Sequence, residues 1–225
     1  MGLGRPARGW LIAYVLVATL DLVAELAHWR LVALIALALC MPALLGFLLT
    51  ASPVRDRLTK LVAIALVFSW CGDVFGFDIL VKIAFFLVAQ LCYAGAFWPY
   101  RARSVLRRRP PIAALYGLVV LAIIVVVAPP AGPLAPAVII YAAVIGTMAV
   151  LATGLSRLTA VGAVVFIGSD TIIALTTFVV PGRFALDTFA IMATYLLAQL
   201  LIVLGVVRTP AVMAVPPAKV SAAAE

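Results

Sequence analysis

The sequence predicts an all-α integral membrane protein of eight transmembrane helices, and three observations carry that prediction. Of its 225 residues 67% are hydrophobic, against roughly 45–50% apolar in soluble domains, too much for a water-soluble fold to bury. Only 11% are charged, and they gather in short breaks between apolar runs of about the 20 residues that a bilayer core requires. Threading the chain through eight spans then places nearly all of the basic residues on one side.

Charged and Pro/Gly breaks divide residues 1–208 into approximate spans at 10–27, 31–50, 58–77, 79–100, 111–128, 135–155, 158–179 and 187–207. The first span follows Arg5 and Arg8 and ends in Asp21, Glu25, His28 and Trp29 without an A-x-A cleavage pattern, so it reads as a retained helix. The charge-free run from Arg109 to Arg157 is too long for one crossing. Pro129, Pro130, Gly132, Pro133 and Pro136 interrupt it where a helix cannot continue, so it reads as two spans joined by an outer turn. Residues 209–225, with Pro210, Pro216, Pro217 and an alanine run, read as a disordered cytoplasmic tail.

The charges test this division. Arg5, Arg8, Arg55, Arg57, Lys60, Arg101, Arg103, Arg107, Arg108, Arg109, Arg157, Arg208 and Lys219 fall on one side, thirteen of the sixteen basic residues. Arg30, Lys82 and Arg183 fall on the other. The positive-inside rule makes the first side cytoplasmic and puts both termini there, as in a multi-pass plasma-membrane protein. The net charge of +8 and pI near 9.9 therefore do not point to nucleic acid, because the basic residues flank spans rather than forming one solvated face. Cys40, Cys71 and Cys92 lie within spans, odd in number and without metal-ligand spacing, and read as small packing residues.

Ionisable residues inside a span are costly and mark functional sites. Asp73, in FSWCGD, and Asp170, in FIGSD, stand in the third and seventh spans, which run in the same direction. Each follows a basic anchor, Lys60 or Arg157, by 13 residues, about 20 Å along a helix. Equal depth in the outward half of the bilayer suits a carboxyl pair, though it does not make the two helices neighbours. FLVAQ, ending at Gln90, is echoed by YLLAQ, ending at Gln199. An Asp helix followed by a Gln helix in each half would fit two parallel four-helix halves. Each carboxyl group has a plainer role open to it as a helix–helix hydrogen bonder, and so do Gln90 and Gln199. Asp21, Glu25, Asp78 and Asp187 are expected at solvated outer ends, and His28 at the interface beside Trp29.

The stretch from Gly162 to Phe178, GAVVFIGSDTIIALTTF, resembles the seventh-helix motif of the YhhN/lysoplasmalogenase family, GAxxFxxSDxxxAxxxF. FSWCGD is similar to that family's third-helix S-x-x-G-D motif, and YLLAQLLI from Tyr195 to its final-helix YxxAQxLI pattern. The three occur in family order over nearly the whole chain. The resemblance implies a multi-pass hydrolase that cleaves the vinyl-ether bond of lysoplasmalogens to a fatty aldehyde and a glycerophospho-base. It implies catalytic roles for Asp73 and Asp170, and supporting, substrate-binding roles for Tyr93, Ser169, Tyr195 and Gln199; Gln90 is a further substrate-binding candidate. Two positions depart from the family: an apolar run precedes Met41 and Pro42 where Lys-Pro is usual, and Gln90 stands where many members have His.

Two carboxyl groups suit that chemistry. Enol-ether hydrolysis starts with proton delivery to the vinyl carbon β to oxygen, and water then traps the oxocarbenium ion as a hemiacetal. One acid must be protonated near neutral pH, while a second stays ionised to balance the cation and orient water. The sequence does not say which Asp does which. The reaction needs no metal or nucleotide cofactor, and neither a P-loop nor an H-E-x-x-H motif is present. The expected partners are a lysophospholipid and the bilayer. A proton-coupled lipid or small-molecule transporter remains the alternative from another class, since paired intramembrane carboxyls serve transport too. A catalytically inactive lipid-binding relative is a third reading.

Overall fold

The computed structural model describes residues 3–52, 56–181 and 187–209. Arg55, Arg183 and the expected tail beyond Thr209 lie outside the described residues. The described chain is 90% helical, without strands. The elements are α1 (Arg5–Leu26), α2 (Arg30–Ala51), α3 (Arg57–Phe75), α4 (Ile79–Phe97), a 3-10 segment (Trp98–Arg103), α5 (Val105–Arg108), α6 (Pro110–Ala131), a 3-10 turn (Gly132–Leu134), α7 (Ala135–Ala152), α8 (Arg157–Ala174), a π-helical turn (Leu175–Val179) and α9 (Asp187–Val207).

Polar residues at the breaks start several of these helices. Asp56 accepts from the Thr59 amide at 2.9 Å to open α3, and Asp78 accepts from the Leu80 amide at 2.8 Å to open α4. Ser156 does the same for α8, accepting from the Thr159 amide at 3.1 Å. Each cap satisfies an amide that the helix itself leaves without a partner. Pro110 and Pro111 open α6, at positions where a missing N–H costs nothing.

Seven continuous helical stretches are long and apolar enough to cross a membrane among the described residues. The expectation of eight separate spans differs at one place. Pro110–Ala152 is a single helical run of 43 residues, about twice the length a bilayer core requires. It is folded on itself at Gly132, whose φ of +55° is a conformation that glycine adopts readily. A Cβ added to Gly146 of α7 would lie 2.6 Å from Val120 of α6, and these two residues are equidistant from Pro133. The run is thus a helical hairpin. The prolines expected to stop the first arm, Pro129 and Pro130, are accommodated in the last turn of α6.

Neighbour packing runs α1–α2–α3–α4–α7–α8–α9 and closes from α9 back to α1, with α9 also touching α2 and α3. α6 lies outside this ring against α7 and buries only Val127 and Ala131. Two glycines let α8 and α9 approach closely. A Cβ on Gly162 would come within 2.9 Å of the Ala198 carbonyl, and one on Gly205 would collide with the Thr159 hydroxyl. Small residues at such contacts are how membrane helices gain packing without a hydrophobic driving force.

The surface is inverted relative to a soluble protein. Leu16, Leu31, Leu118 and Val125 are more than half exposed, while Asp21, Ser69, Gln90, Ser169 and Gln199 are fully buried. An exterior this apolar, with polar groups buried inside, is stable only with hydrocarbon as the solvent. Trp10, Trp29 and Trp98 are exposed near helix ends, and the Arg101 guanidinium lies 4.9 Å from the Trp98 ring centroid. Such aromatic and basic residues anchor helices at the membrane–water interface.

Candidate functional site

Asp73 stands near the end of α3, and its Oδ2 accepts from the Tyr195 hydroxyl of α9 at 2.8 Å. One helical turn further along α9, Gln199 is fully buried and fully engaged. Its amide nitrogen donates to the Ser69 hydroxyl at 3.0 Å, and its carbonyl oxygen accepts from the Tyr93 hydroxyl of α4 at 2.6 Å. Four residues singled out from sequence, Asp73, Tyr93, Tyr195 and Gln199, therefore form one network across α3, α4 and α9. Ser69 completes it. Ser69 was legible as part of the FSWCGD motif, one helical turn before Asp73.

Asp170 has a separate partner. Its Oδ2 accepts from the hydroxyl of Tyr141, on α7, at 2.5 Å. Sequence reasoning missed Tyr141. The available signal was a lone hydroxyl-bearing ring in the otherwise apolar opening of α7, Ala-Val-Ile-Ile-Tyr. Gln90 of α4 lies close enough to interact with the same hydroxyl. Its amide nitrogen and oxygen are nevertheless buried with no hydrogen-bond partner among the described residues.

The Asp/Gln echo between the two halves is thus realised crosswise. Gln90, from the first half, faces the Tyr141–Asp170 pair of the second, while Gln199, from the second, supports the Tyr195–Asp73 pair that reaches into the first. Asp73 and Asp170 belong to different networks, and neither shares a hydrogen-bond partner with the other. Ser169 lies apart from both. It is buried, and its hydroxyl donates to the Ile191 carbonyl at 3.1 Å, tying α8 to α9.

An open, largely apolar cavity lies between α4, α7 and α8. Ile83, Phe86, Val138 and Phe178 are among its walls, and Lys82 and Asp170 are its two charged groups. The π-helical turn after α8 includes Phe178. Such turns inside membrane helices recur at functional sites.

Phe86 stands between this cavity and the Asp73 network. Its ring lines the cavity, packs edge-on against Tyr195 at 5.7 Å and would lie 2.7 Å from a Cβ on Gly72. Phe166 closes the aromatic cluster, 6.4 Å from Phe86 and 5.6 Å from Tyr195. Lys82 relates to both sides, since it lines the cavity and lies within electrostatic reach of Asp73. Its stem runs past Gly76, where a Cβ would come within 3.0 Å of it.

One outer-end expectation is corrected. Asp21 does not sit at a solvated end; its side chain is 0% exposed. Depth along α1 alone suggested the surface, but the neighbouring helices cover that face. Asp78 is exposed and serves as the cap of α4, Glu25 is half-buried, and His28 is exposed as expected. The three cysteines are free, with Cys40 buried. No group of three His, Cys, Asp or Glu able to hold a metal ion occurs among the described residues.

No curated protein and no solved structure matches the chain. The model of the YhhN family does, over residues 32–206. That stretch takes in α3, α4, α7, α8 and α9 almost completely, and with them both tyrosine–aspartate pairs and the cavity. A match over more than half of the sequence, across the helices that build the site, shows that this chain belongs to the YhhN family.

Proposed function

We propose that this protein is a membrane-embedded hydrolase that cleaves the vinyl-ether bond of lysoplasmalogens by carboxyl acid/base catalysis. The observation that carries the reading is the cavity. It is an apolar slot with one cation, Lys82, and one intramembrane carboxyl group, Asp170, in its wall. A single-chain phospholipid matches that pattern: its hydrocarbon takes the apolar walls, its phosphate the ammonium, and its enol ether the carboxyl group.

On this reading Asp170 is the acid, because it is the carboxyl group in the cavity wall. Its proton goes to the vinyl carbon, and the Tyr141 hydroxyl then stabilises the carboxylate left behind by donating to it. Asp73, held by Tyr195 behind Phe86, is the partner carboxylate. It balances the oxocarbenium charge and takes a proton from the attacking water, with the Phe86 ring moving aside to admit it. Tyr93, Ser69 and Gln199 hold Tyr195 and so set the position of Asp73. The hemiacetal collapses to aldehyde and alcohol. Gln90 offers an unused amide to the Tyr141 side of the site.

The same reading places the chain in the plasma membrane with eight crossings, the 43-residue hairpin counting as two, and both termini in the cytoplasm. The α6–α7 turn and the start of α4, with Lys82, are then on the outer side. Release of fatty aldehyde by the purified protein tests the proposal. A carrier or an inactive lipid-binding protein would leave the lipid intact.

A further inference from the structure

The stretch between α4 and α6 carries the densest charge in the chain. Arg101, Arg103, Arg107, Arg108 and Arg109 fall within nine positions, and all five are exposed. The helix order sets what shares their end of the bundle. α3 with α4, and α6 with α7, are antiparallel neighbours, so α3 and α8 both start at the end where residues 98–109 lie. That adds the exposed Arg57, Lys60 and Arg157. Among the described residues Asp56 is the only acid there, and it is engaged in capping α3. No Asp or Glu occurs between Asp78 and Asp170. The arginines therefore have almost no counter-charge from the protein.

Residues 98–109 are also folded. Tyr100 and Ser104 are buried. The Val105 amide donates to the Thr153 hydroxyl, just beyond α7, at 3.0 Å, and a Cβ on Gly154 would collide with the Tyr100 carbonyl. Between these anchors the Ser104 hydroxyl donates to the Arg101 carbonyl at 2.7 Å. The Arg107 and Arg108 amides donate to the Ser104 carbonyl at 3.1 and 3.0 Å. The backbone that carries the arginines is thus fixed against the end of α7, which lowers the ordering cost of binding a ligand. Apolar groups stand among the charges, since Trp98 and Leu106 are about half exposed. A soluble acidic partner gains nothing from them. A lipid surface takes such side chains at its hydrocarbon boundary and guanidinium groups at its phosphates, whose oxygens they match in pairs.

We propose that residues 98–109 form a prefolded binding site for an anionic phospholipid, separate from the substrate cavity. The cavity lies at the other end of α4, around Lys82 and Phe86. The arginines take the headgroup charge, and Trp98 and Leu106 meet the upper part of the acyl chains. Binding there needs no catalysis and stands whether or not the protein is a hydrolase.

Native mass spectrometry of the purified full-length protein in detergent, titrated with phosphatidylglycerol or phosphatidylcholine, tests this. Saturable binding of phosphatidylglycerol, at least about tenfold tighter than phosphatidylcholine, is expected. A variant combining Arg107→Gln, Arg108→Gln and Arg109→Gln should weaken it roughly a hundredfold, at about fivefold per arginine. Combining Arg5→Gln and Arg8→Gln, which removes exposed charge at the same end but outside the site, should leave it nearly unchanged. Thr153→Val keeps every charge but frees the Val105 amide, and should cost about fivefold, the scale of one hydrogen bond. The arginines are exposed, so their variants decide the matter even if Thr153→Val does not fold. Equal weakening per charge removed in the two arginine variants would mean diffuse attraction and overturn the site. Equal affinity for the two lipids would overturn it as well. Displacement of the lipid by soluble glycerophosphate or by a ribo-oligonucleotide at the same concentration would assign the arginines to a free phosphate or a soluble polyanion instead.

Discussion

Tyr195 on α9 donates its hydroxyl to Asp73 on α3 at 2.8 Å, across 122 positions of sequence. Tyr141 on α7 does the same for Asp170 on α8. Asp73 and Asp170 are therefore each held by a phenol from another helix, and the two pairs flank the ring of Phe86. The geometry gives the residues separable roles, and each can be tested.

Removing either carboxyl group should remove most of the activity. Asp170→Asn and Asp73→Asn are each expected to lower turnover at least about 10²-fold, the usual scale of general acid–base catalysis. Thermal unfolding in detergent checks that folding survives, since Asn keeps the shape of Asp. Full turnover in either variant would take that residue out of the mechanism.

The two glutamines should behave oppositely. Gln199 serves Tyr93 and Ser69, so Gln199→Met leaves buried partners unsatisfied and should cost about 1–3 kcal/mol of stability. Gln90 has no hydrogen-bond partner among the described residues, so Gln90→Met should leave stability unchanged or raise it. Denaturation midpoints of the two variants, measured side by side, decide this. Equal losses would show that Gln90 is as engaged as Gln199.

How much of this was legible follows from what a bilayer imposes on a sequence. The spans could be read because hydrocarbon demands long apolar runs, and the motif residues because charge inside such runs is rare. Pairing was not legible. Nothing in the sequence attaches Tyr141 to Asp170, because that contact depends on α7 packing beside α8. Asp21 was misread for the same reason, as its burial is set by its neighbours and not by its distance from the helix end. Pro129 and Pro130 marked the hairpin correctly, yet α6 runs through them to Gly132, where the positive φ turns the chain. Ser169 belonged to a matching motif, but its hydroxyl is spent on the Ile191 carbonyl.

Lys82 should read the phosphate. Lys82→Gln is expected to raise KM for a vinyl-ether lysophospholipid about tenfold, the scale of one hydrogen bond to a charged group. KM for an uncharged alkenylglycerol should be unaffected, and kcat should change little for either. A parallel rise in both KM values would assign Lys82 to the apolar wall and not to the headgroup.

Topology can be tested at the loop between α4 and α6. Ala102 is exposed among Arg101 and Arg103, so a single cysteine placed there, in a background lacking the other three, should label only after the membrane is permeabilised. Labelling of intact cells would reverse the orientation and put the cavity on the cytoplasmic side.

The most direct measurement is product analysis of the purified protein with three lysolipids that differ only in the bond at position 1. An acid that protonates a vinyl carbon should release aldehyde from the 1-alkenyl lipid and leave the 1-alkyl and 1-acyl lipids whole. The alkyl ether has no π-bond to accept the proton, and the ester needs a nucleophile with an oxyanion hole. Aldehyde from the alkenyl lipid alone, lost in Asp170→Asn, is the predicted result. Fatty acid released from the acyl lipid as readily as aldehyde from the alkenyl lipid, or no aldehyde at all, would contradict it.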